Sequence, residues 1–539
     1  MVRNWFYGIS AFLFALVGLV WLIWPPVLWS LVVLAPLFLL GLRDALQNKH
    51  TVLKNFPLVG HGRYLIESVR PELQQYLIES NLDAYPVERE FRALVYQRAK
   101  GELETRPFGT QRDVYRVGYE WASHSLAPVA QLDEEPRVEF GGPDCSKPYS
   151  ASHLNVSAMS FGALSNRAVL ALNGGAKLGG FAHNTGEGGV SRYHLEPGGD
   201  LIWQIGTGYF GCRARDGSFD PEQFRETVAH EQIRMVEVKL SQGAKPGHGG
   251  ILPAAKVTPE IAEARGLPPY ESALSPPWHS TFSTPVELIE YVARLRELSD
   301  GKPVGIKLCV GRRTDFLAIV KAMLEVGTAP DFITVDGGEG GTGAAPLEFS
   351  NSLGMPGRDG LVFVANSLRG AGLRDQVRVI YSGKVFSSFH MIRAMALGAD
   401  TCNSARAMMF ALGCIQALRC NSNMCPTGIT TQNPALVKGL HVPGKTERVH
   451  RYHHSTIQAF LEMLAAMGLK SPAEIRPDHV YRRIDDLHVR SLAEIYQFLM
   501  PGQLLSGDLP SCSLVREWKE ASADHWSFQA ESGEAMESA

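Results

Sequence analysis

From about Pro148 onward, short β-rich runs alternate with helical stretches, and this alternation narrows the fold more than any other feature of the chain. The runs are Asn155-Val-Ser-Ala-Met-Ser, Met235-Val-Glu-Val-Lys-Leu, Val304-Gly-Ile-Lys-Leu, Phe332-Ile-Thr-Val-Asp and Arg378-Val-Ile-Tyr-Ser-Gly. Helical periodicity falls between them, over Pro285 to Leu298 and Asp315 to Gly327. Strand followed by helix, repeated, means a parallel sheet. Polar residues and glycines gather at the C-terminal ends of the runs, where a closed barrel builds its active site. The expected fold is therefore α/β, a (β/α)8 TIM barrel over residues 136–480. An open doubly wound sheet is the alternative that the same pattern allows.

The 539 residues also leave room for additions to a barrel. Trp5 to Trp24 is an uncharged apolar segment of about 20 residues; Pro25-Pro26 breaks it, and a second apolar run of about 15 residues follows from Val27 to Gly41. Residues 1–45 thus predict a membrane anchor of two transmembrane helices in contact with lipid, the second one short for the bilayer. Arg3 precedes the pair, and Arg43, Lys49 and Lys54 follow it, which places both flanks and the catalytic domain on the cytoplasmic side of the cell membrane. A single span with an interfacial segment would put the bulk outside. Residues 46–135 read as a small helical cap or linker, with short helices over Arg70 to Ser80 and Tyr85 to Arg98. Residues 481–539 carry a last helical stretch, Ser491 to Leu499, and a polar tail expected to be disordered after about Glu520. With a net charge of -3 and no basic stretch interleaved with aromatics, nucleic acid is not an expected partner.

Three of the eight cysteines form the run Cys414-Ile-Gln-Ala-Leu-Arg-Cys420-Asn-Ser-Asn-Met-Cys425-Pro-Thr-Gly. Thiolates are the soft ligands that iron prefers, so the run reads as the wrapping of an iron–sulfur cluster. Three ligands suit a 3Fe-4S cluster; a 4Fe-4S cluster would need a fourth, for which Cys402 is the nearest candidate. Buried small hydrophobes and a zinc site are the other readings, the latter weakened by the absence of a C-x2-C knuckle. So few cysteines in so long a chain fit a reducing compartment.

At the strand ends, Ser382-Gly383-Lys384 and Asn403-Ser404-Ala405-Arg406 are candidate phosphate sites, ordinary left-handed turns being the alternative. Gly338-Glu-Gly340-Gly-Thr-Gly343 satisfies a dinucleotide fingerprint in form only; an active-site loop after Val335-Asp336 is the better reading. Lys307 and Lys239 lie in apolar strands, where a cation is costly unless it faces a ligand or a partner. Lys307 could stabilise a reduced flavin anion. Lys245, in a glycine-rich loop, could bind a substrate carboxylate. A snorkelling or salt-bridged lysine is the alternative for each, though three together on strand ends are less easily explained that way.

Taken together, Ser157-Ala-Met-Ser160-Phe-Gly162, Asn184-Thr-Gly-Glu187-Gly-Gly189, Lys239, Gly243-Ala-Lys245-Pro-Gly247, Leu252-Pro253, Arg265, Ser275-Pro-Pro277, Lys307, Asp336-Gly-Gly338, Gly341-Thr-Gly343 and the three cysteines with Thr431-Gln432 resemble the synthase domain of glutamate synthase. The resemblance implies a barrel that carries FMN and a 3Fe-4S cluster and reduces the 2-iminoglutarate formed from 2-oxoglutarate and ammonia. It implies FMN at Ser157-Ala158-Met159-Ser160, at Lys239 and Lys307, at the loop of Gly338 and Gly341, at Ser382-Gly383-Lys384 and at Ser404-Ala405. It implies cluster ligands at Cys414, Cys420 and Cys425, and substrate carboxylate contacts at Lys245 and Arg265.

Two departures bear on function. The family's Lys-Pro-Gly-Glu-Gly-Gly-Gln loop here carries His248 and Ile251, and an aliphatic side chain cannot donate to a dicarboxylic acid. An amidotransferase domain with an N-terminal cysteine is also absent from this sequence, so ammonia is expected to be external. The chain resembles the stand-alone, membrane-anchored relatives of the synthase domain. Glu187 is a candidate for polar organisation near the substrate, and His248 for a proton donor. Expected partners are a 2-oxo acid, imine or amino acid as substrate and a ferredoxin, flavoprotein or quinone as electron donor. The competing readings are a membrane-bound electron-transfer flavoprotein oxidising another amine or a 2-hydroxy acid, and a non-enzymatic scaffold or sensor.

Overall fold

The computed structural model describes residues 2–506 and 513–526. They fall into two compact units, Met1–Arg89 and Glu90–Ala539. In the first, α1 (Val2–Trp21) and α2 (Leu31–Leu46) are joined through a 3-10 turn at Pro25–Ser30, where the two prolines start the turn because they need no N–H donor there. Val2–Trp21 and Pro25–Leu46 are each long and apolar enough to cross a bilayer. Phe38 of α2 stacks on Phe6 and meets Phe14 edge-on, holding the pair together.

Two short helices follow in this unit, α3 (Thr51–Asn55) and α4 (Val59–Leu73). The helix expected from Arg70 therefore begins eleven residues earlier, and Pro71 lies near its end rather than in its first turn. Pro71 removes one donor from the helical ladder, and the chain continues as a wider π turn over Gln74–Ile78. The next helix, α5 (Arg89–Lys100), starts later than the expected Tyr85.

The second unit is built on a closed barrel of eight parallel strands: β1 (Leu154–Val156), β2 (His183–Asn184), β3 (Leu201–Ile205), β4 (Ile233–Lys239), β5 (Val304–Cys309), β6 (Phe332–Asp336), β7 (Arg378–Ser382) and β8 (Thr401–Ser404). Closure comes from β8 pairing with β1, Asn403 opposite Asn155. The expected TIM barrel is what the chain forms, with helices between the strands. Helix Pro285–Leu298 begins where its sequence says it should: Pro285 occupies the first helical position, and Thr284 and Glu287 form a reciprocal capping box.

The N-terminal end of the barrel is a packed floor. A hairpin of Val138–Phe140 with Tyr149–Ala151 closes it, and Phe140 and Tyr149 join Ile202, Met235, Phe332 and Ile380 in one apolar cluster. Burying a side chain such as Phe140 stabilises by about 1.5–3 kcal/mol. Beside it, the fully buried carboxylate of Asp331 accepts hydrogen bonds from Gly142 N at 2.6 Å, Val304 N at 2.7 Å and Arg296 Nε at 3.0 Å. One side chain thereby ties the hairpin, β5 and a barrel helix together. Higher in the barrel, buried Glu237 accepts from Asn184 Nδ2, Gln204 Nε2 and Thr334 Oγ1 at 2.6–2.8 Å, linking β2, β3, β4 and β6.

The helix expected over Ser491 to Leu499 is confined to Leu492–Ile495. A further helix, Ser513–Glu520, has Trp518 under Lys321 of the barrel helix Arg313–Val326 at 5.2 Å. At the start of the expected tail, Ala521 and Ala523 are buried and Trp526 Nε1 donates to Ser283 O at 2.7 Å; residues 527–539 lie outside the described residues.

Candidate active site

At the C-terminal ends of the strands the loops converge. The chain reaches Glu187 just after β2, Lys239 at the end of β4, Lys245 in the following loop and Arg265 at the end of helix Pro259–Arg265. Lys239 Nζ lies 2.8 Å from Glu187 Oε1 and 2.9 Å from Gln242 Oε1. Burial works against charge on Glu187, but Lys239, Lys245 and Arg265 hold its carboxyl below the usual range.

Arg265 is buried, and burial pulls its guanidinium down to about 10 against the attraction of Glu187. Its Nη2 donates to Phe161 O at 3.2 Å, its Cζ lies 5.0 Å from the Phe210 ring centroid, and its Nε is buried without a partner. Lys245 is also buried, and its ammonium is lowered by burial, opposed by Glu187 and reinforced by Lys239. Three cations around one carboxylate leave this corner short of negative charge. His248 stands on the same loop, its Nδ1 2.8 Å from Gly249 O and its ring edge-on to Phe349, while Ile251 is exposed.

A second cationic group stands on the neighbouring strand, where Lys307 of β5 pairs in register with Lys239 of β4. Lys307 is buried in β5 with Nζ 3.5 Å from Asp336 Oδ2; burial opposes its charge, but Asp336 and Glu237 outweigh it and raise its pKa. Asp336 at the end of β6 also accepts from Gly243 N and Gly337 N. Its neighbour Gly338 is held by a bond from its N–H to Met355 O, and Gly341 packs beside Arg406, whose Nη2 donates to Glu339 O. The Gly243 loop touches the Gly337 loop so closely that a Cβ on Gly243 would lie 1.6 Å from Gly337 O. Gly243→Ala should force the two loops apart and lower stability by about 1–3 kcal/mol, measurable as an earlier thermal unfolding midpoint.

The phosphate candidates converge as well. Ser157 Oγ is 2.8 Å from Ser382 Oγ, Ser157 N donates to Ser404 O at 3.1 Å, and Ser404 Oγ donates to Val385 O at 2.7 Å. Gly383-Lys384 and Ala405 follow these strand ends directly. Ala158, Met159 and Ser160 form the loop above β1, and Gly186 packs against the Met159–Ser160 backbone with no room for a side chain.

The cysteine loop is stitched to this same β1 loop. Gln432 Nε2 donates to Gly162 O and Leu164 O at 3.0 and 2.9 Å, and Ser165 bonds Ile429 O and Gly428 O. Cys414, Cys420 and Cys425 lie close enough that each of the other two thiols adds to the rise of Cys414, which burial chiefly pushes to about 12. For Cys425, burial is outweighed by hydrogen bonds from Thr427 and Thr430, which bring the thiol to about 7. Among the described residues, no three His, Cys, Asp or Glu side chains form the ligand shell of one metal ion. Cys402, the candidate fourth ligand, is buried in β8, with Arg393 as the charge that acts on it.

One residue at the centre of this arrangement carries no sequence signal. Lys256, in the turn Ala254–Lys256, is buried and donates to Cys420 O and Thr430 O, both at 2.8 Å. It is an isolated lysine in a run of small residues. Tyr96 of α5 likewise donates to Cys414 O at 2.5 Å, from the region that the sequence marks only as a cap or linker.

The family described as "Conserved region in glutamate synthase" matches residues 133–470, the barrel with its cysteine loop. The chain is 37% identical over 500 residues to the glutamate synthase large subunit-like protein YerD of Bacillus subtilis, covering 85% of this chain and 95% of that one. It is 34% identical over 322 residues to the archaeal glutamate synthase [NADPH] of Methanocaldococcus jannaschii, where the match spans 60% of each chain. Among solved structures, a flavocytochrome b2 with pyruvate bound aligns over 86% of this chain and 93% of its own at 13% identity and a TM-score of 0.42. The chain belongs to the glutamate synthase family and is a glutamate synthase-like oxidoreductase acting on CH–NH2 donors.

Proposed function

We propose that the chain is a stand-alone, membrane-anchored enzyme that uses FMN and a 3Fe-4S cluster to reduce an imine, 2-iminoglutarate from 2-oxoglutarate and external ammonia being the leading substrate. The observation that carries this reading is the cation-rich corner of Lys239, Lys245 and Arg265 around the single carboxylate of Glu187. An anionic substrate restores the balance there. Lys245 and Arg265 would receive its carboxylate, and Lys239 would hold Glu187 in place. His248 would supply a proton to the developing amine from the loop that borders the same corner.

The donor chemistry also fits a flavin. Buried Lys307 would offer a cation for the pyrimidine edge, Ser157, Ser382, Gly383, Lys384, Ser404 and Ala405 would hold the phosphate, and Ala158, Met159, Ser160, Gly338 and Gly341 would contact the rest of the group; the Ser157–Ser382 contact of 2.8 Å supports this by joining two of these loops. When bound, FMN supplies hydride and the cluster supplies single electrons from a ferredoxin, partner flavoprotein or quinone. Cys414, Cys420 and Cys425 would hold the cluster, their soft thiols backed by the Lys256 cation.

Residues 1–45 would form the lipid-embedded anchor and residues 46–135 the connection to the barrel domain of 136–480, which would face the cytoplasm, with residues 481–539 following it. A second reading is favoured by Ile251, an aliphatic residue that offers no hydrogen-bond donor at its own position in the loop: oxidation of another amine or a 2-hydroxy acid, linked to membrane quinone.

The test is anaerobic purification with flavin and iron analysis, followed by assay of amino-acid formation from 2-oxo acids, ammonia and a reduced dye. Absence of turnover with every 2-oxo acid would remove the synthase reading. Quinone-linked oxidation of an amine or hydroxy acid would establish the second. Because burial lowers Lys245 below the ordinary lysine value of 10.5, its charge is lost earlier than usual as pH rises. KM for the anionic substrate should therefore climb on the alkaline side below pH 10.5, and Lys245→Arg should move that rise upward.

A further inference from the structure

Much of the apolar face of α4 is exposed among the described residues. Val59, Leu65, Ile66, Val69 and Leu73 are between 40 and 72% exposed. At the pitch of an α-helix these five side chains fall within about 120° of the circumference, the width of an apolar stripe that normally faces a core. Arg63 and Arg70 project along one border of the stripe, Arg63 paired with Glu67 at 2.9 Å. Ser68 and Tyr64 lie on the opposite side.

The start of the helix is fixed in place. Asp44, two residues before the end of α2, is buried and accepts from Leu58 N at 3.1 Å and from His61 Nε2 at 2.9–3.0 Å. The same tether sets Pro57, Leu58 and Val59 against Val2, Trp5, Leu34 and Phe38 around an apolar cavity of about 260 Å³. The first turn of α4 thus sits at the level where the two apolar helices begin and end. Between Arg43 and Arg70 there are five lysines and arginines against two carboxylates.

We infer that α4 is an interfacial helix that lays Leu65, Ile66, Val69 and Leu73 into the headgroup region of an anionic phospholipid bilayer, with Arg63 and Arg70 on the lipid phosphates. The inference rests on the reading of α1 and α2 as membrane spans. Continuity supports it, because the stripe starts at the mouth of the hairpin, and so does charge, because basic residues border an apolar face. A second copy of the chain, or another protein, would be the alternative cover.

The full chain would be reconstituted into vesicles of phosphatidylcholine with or without phosphatidylglycerol. An environment-sensitive fluorescent amino acid would stand singly at Leu65, Val69, Ser68 or Phe12. Lipid spin labels should quench Leu65 and Val69, the shallow label more than the deep one because such helices lie about 5–10 Å into the boundary. Ser68 should remain unquenched, Phe12 should respond to the deep label, and R63E/R70E should reduce quenching at Leu65 only in phosphatidylglycerol vesicles. Quenching at Phe12 without quenching at Leu65 and Val69 overturns the inference and leaves the anchor intact, with protein covering the stripe. No quenching at Phe12 overturns the anchor itself.

Discussion

Replacing Lys245 by alanine will lower kcat/KM for an anionic substrate by roughly 30- to 150-fold, with most of the loss in KM. The size follows from about 2–3 kcal/mol for a charge-assisted contact with a carboxylate in a water-poor site. Lys245 is buried, and among the described residues no hydrogen bond from its ammonium competes with a ligand for it, unlike Lys239, which is committed to Glu187 and Gln242. Lys245→Arg should recover part of the affinity, and an uncharged substrate analogue should show little change. An unaltered KM for 2-oxoglutarate in Lys245→Ala would move the anion site elsewhere.

Asp331→Ala should act at the other end of the barrel and on a different quantity. Its carboxylate is the shared acceptor for two backbone N–H groups and the Arg296 guanidinium, all away from water. Removing one partner of a buried pair leaves the other charge uncompensated and costs about 3–5 kcal/mol. Urea unfolding should show a lower midpoint, while kcat of the folded fraction stays near that of the parent. A change confined to kcat would contradict the division into a stabilising floor and a reactive mouth.

The middle of the barrel was legible because local chemistry and fold agree there. β5, β6 and β7 are apolar runs that end in polar loops, and helix Pro285–Leu298 carries its proline and capping box in the sequence itself. β2 has only two residues, His183–Asn184, too few for a periodic pattern; β3, Leu201–Ile205, is an apolar run followed by a glycine-rich loop rather than a helix. In α4 the opening Val-Gly-His-Gly is a poor helix start by propensity, and the Asp44 tether that compensates is a tertiary contact. At the site, Lys245, Arg265, Glu187 and the serines could be placed from strand ends and resemblance. Lys256 and Tyr96 could not, because their partners are backbone carbonyls more than 150 residues away.

The position of Lys256 has one more consequence. It belongs to the segment running from Lys245 to Arg265, yet its hydrogen bonds end on the loop of Cys420 and Thr430. A shared fastening of this sort obeys reciprocity: whatever anion affinity gains from an ordered cysteine loop, that loop gains from a captured anion, by the same factor. Amides around Cys420 and Thr430 would then exchange more slowly with deuterium when 2-oxoglutarate is present, and Lys256→Met would abolish the cooperativity in both directions.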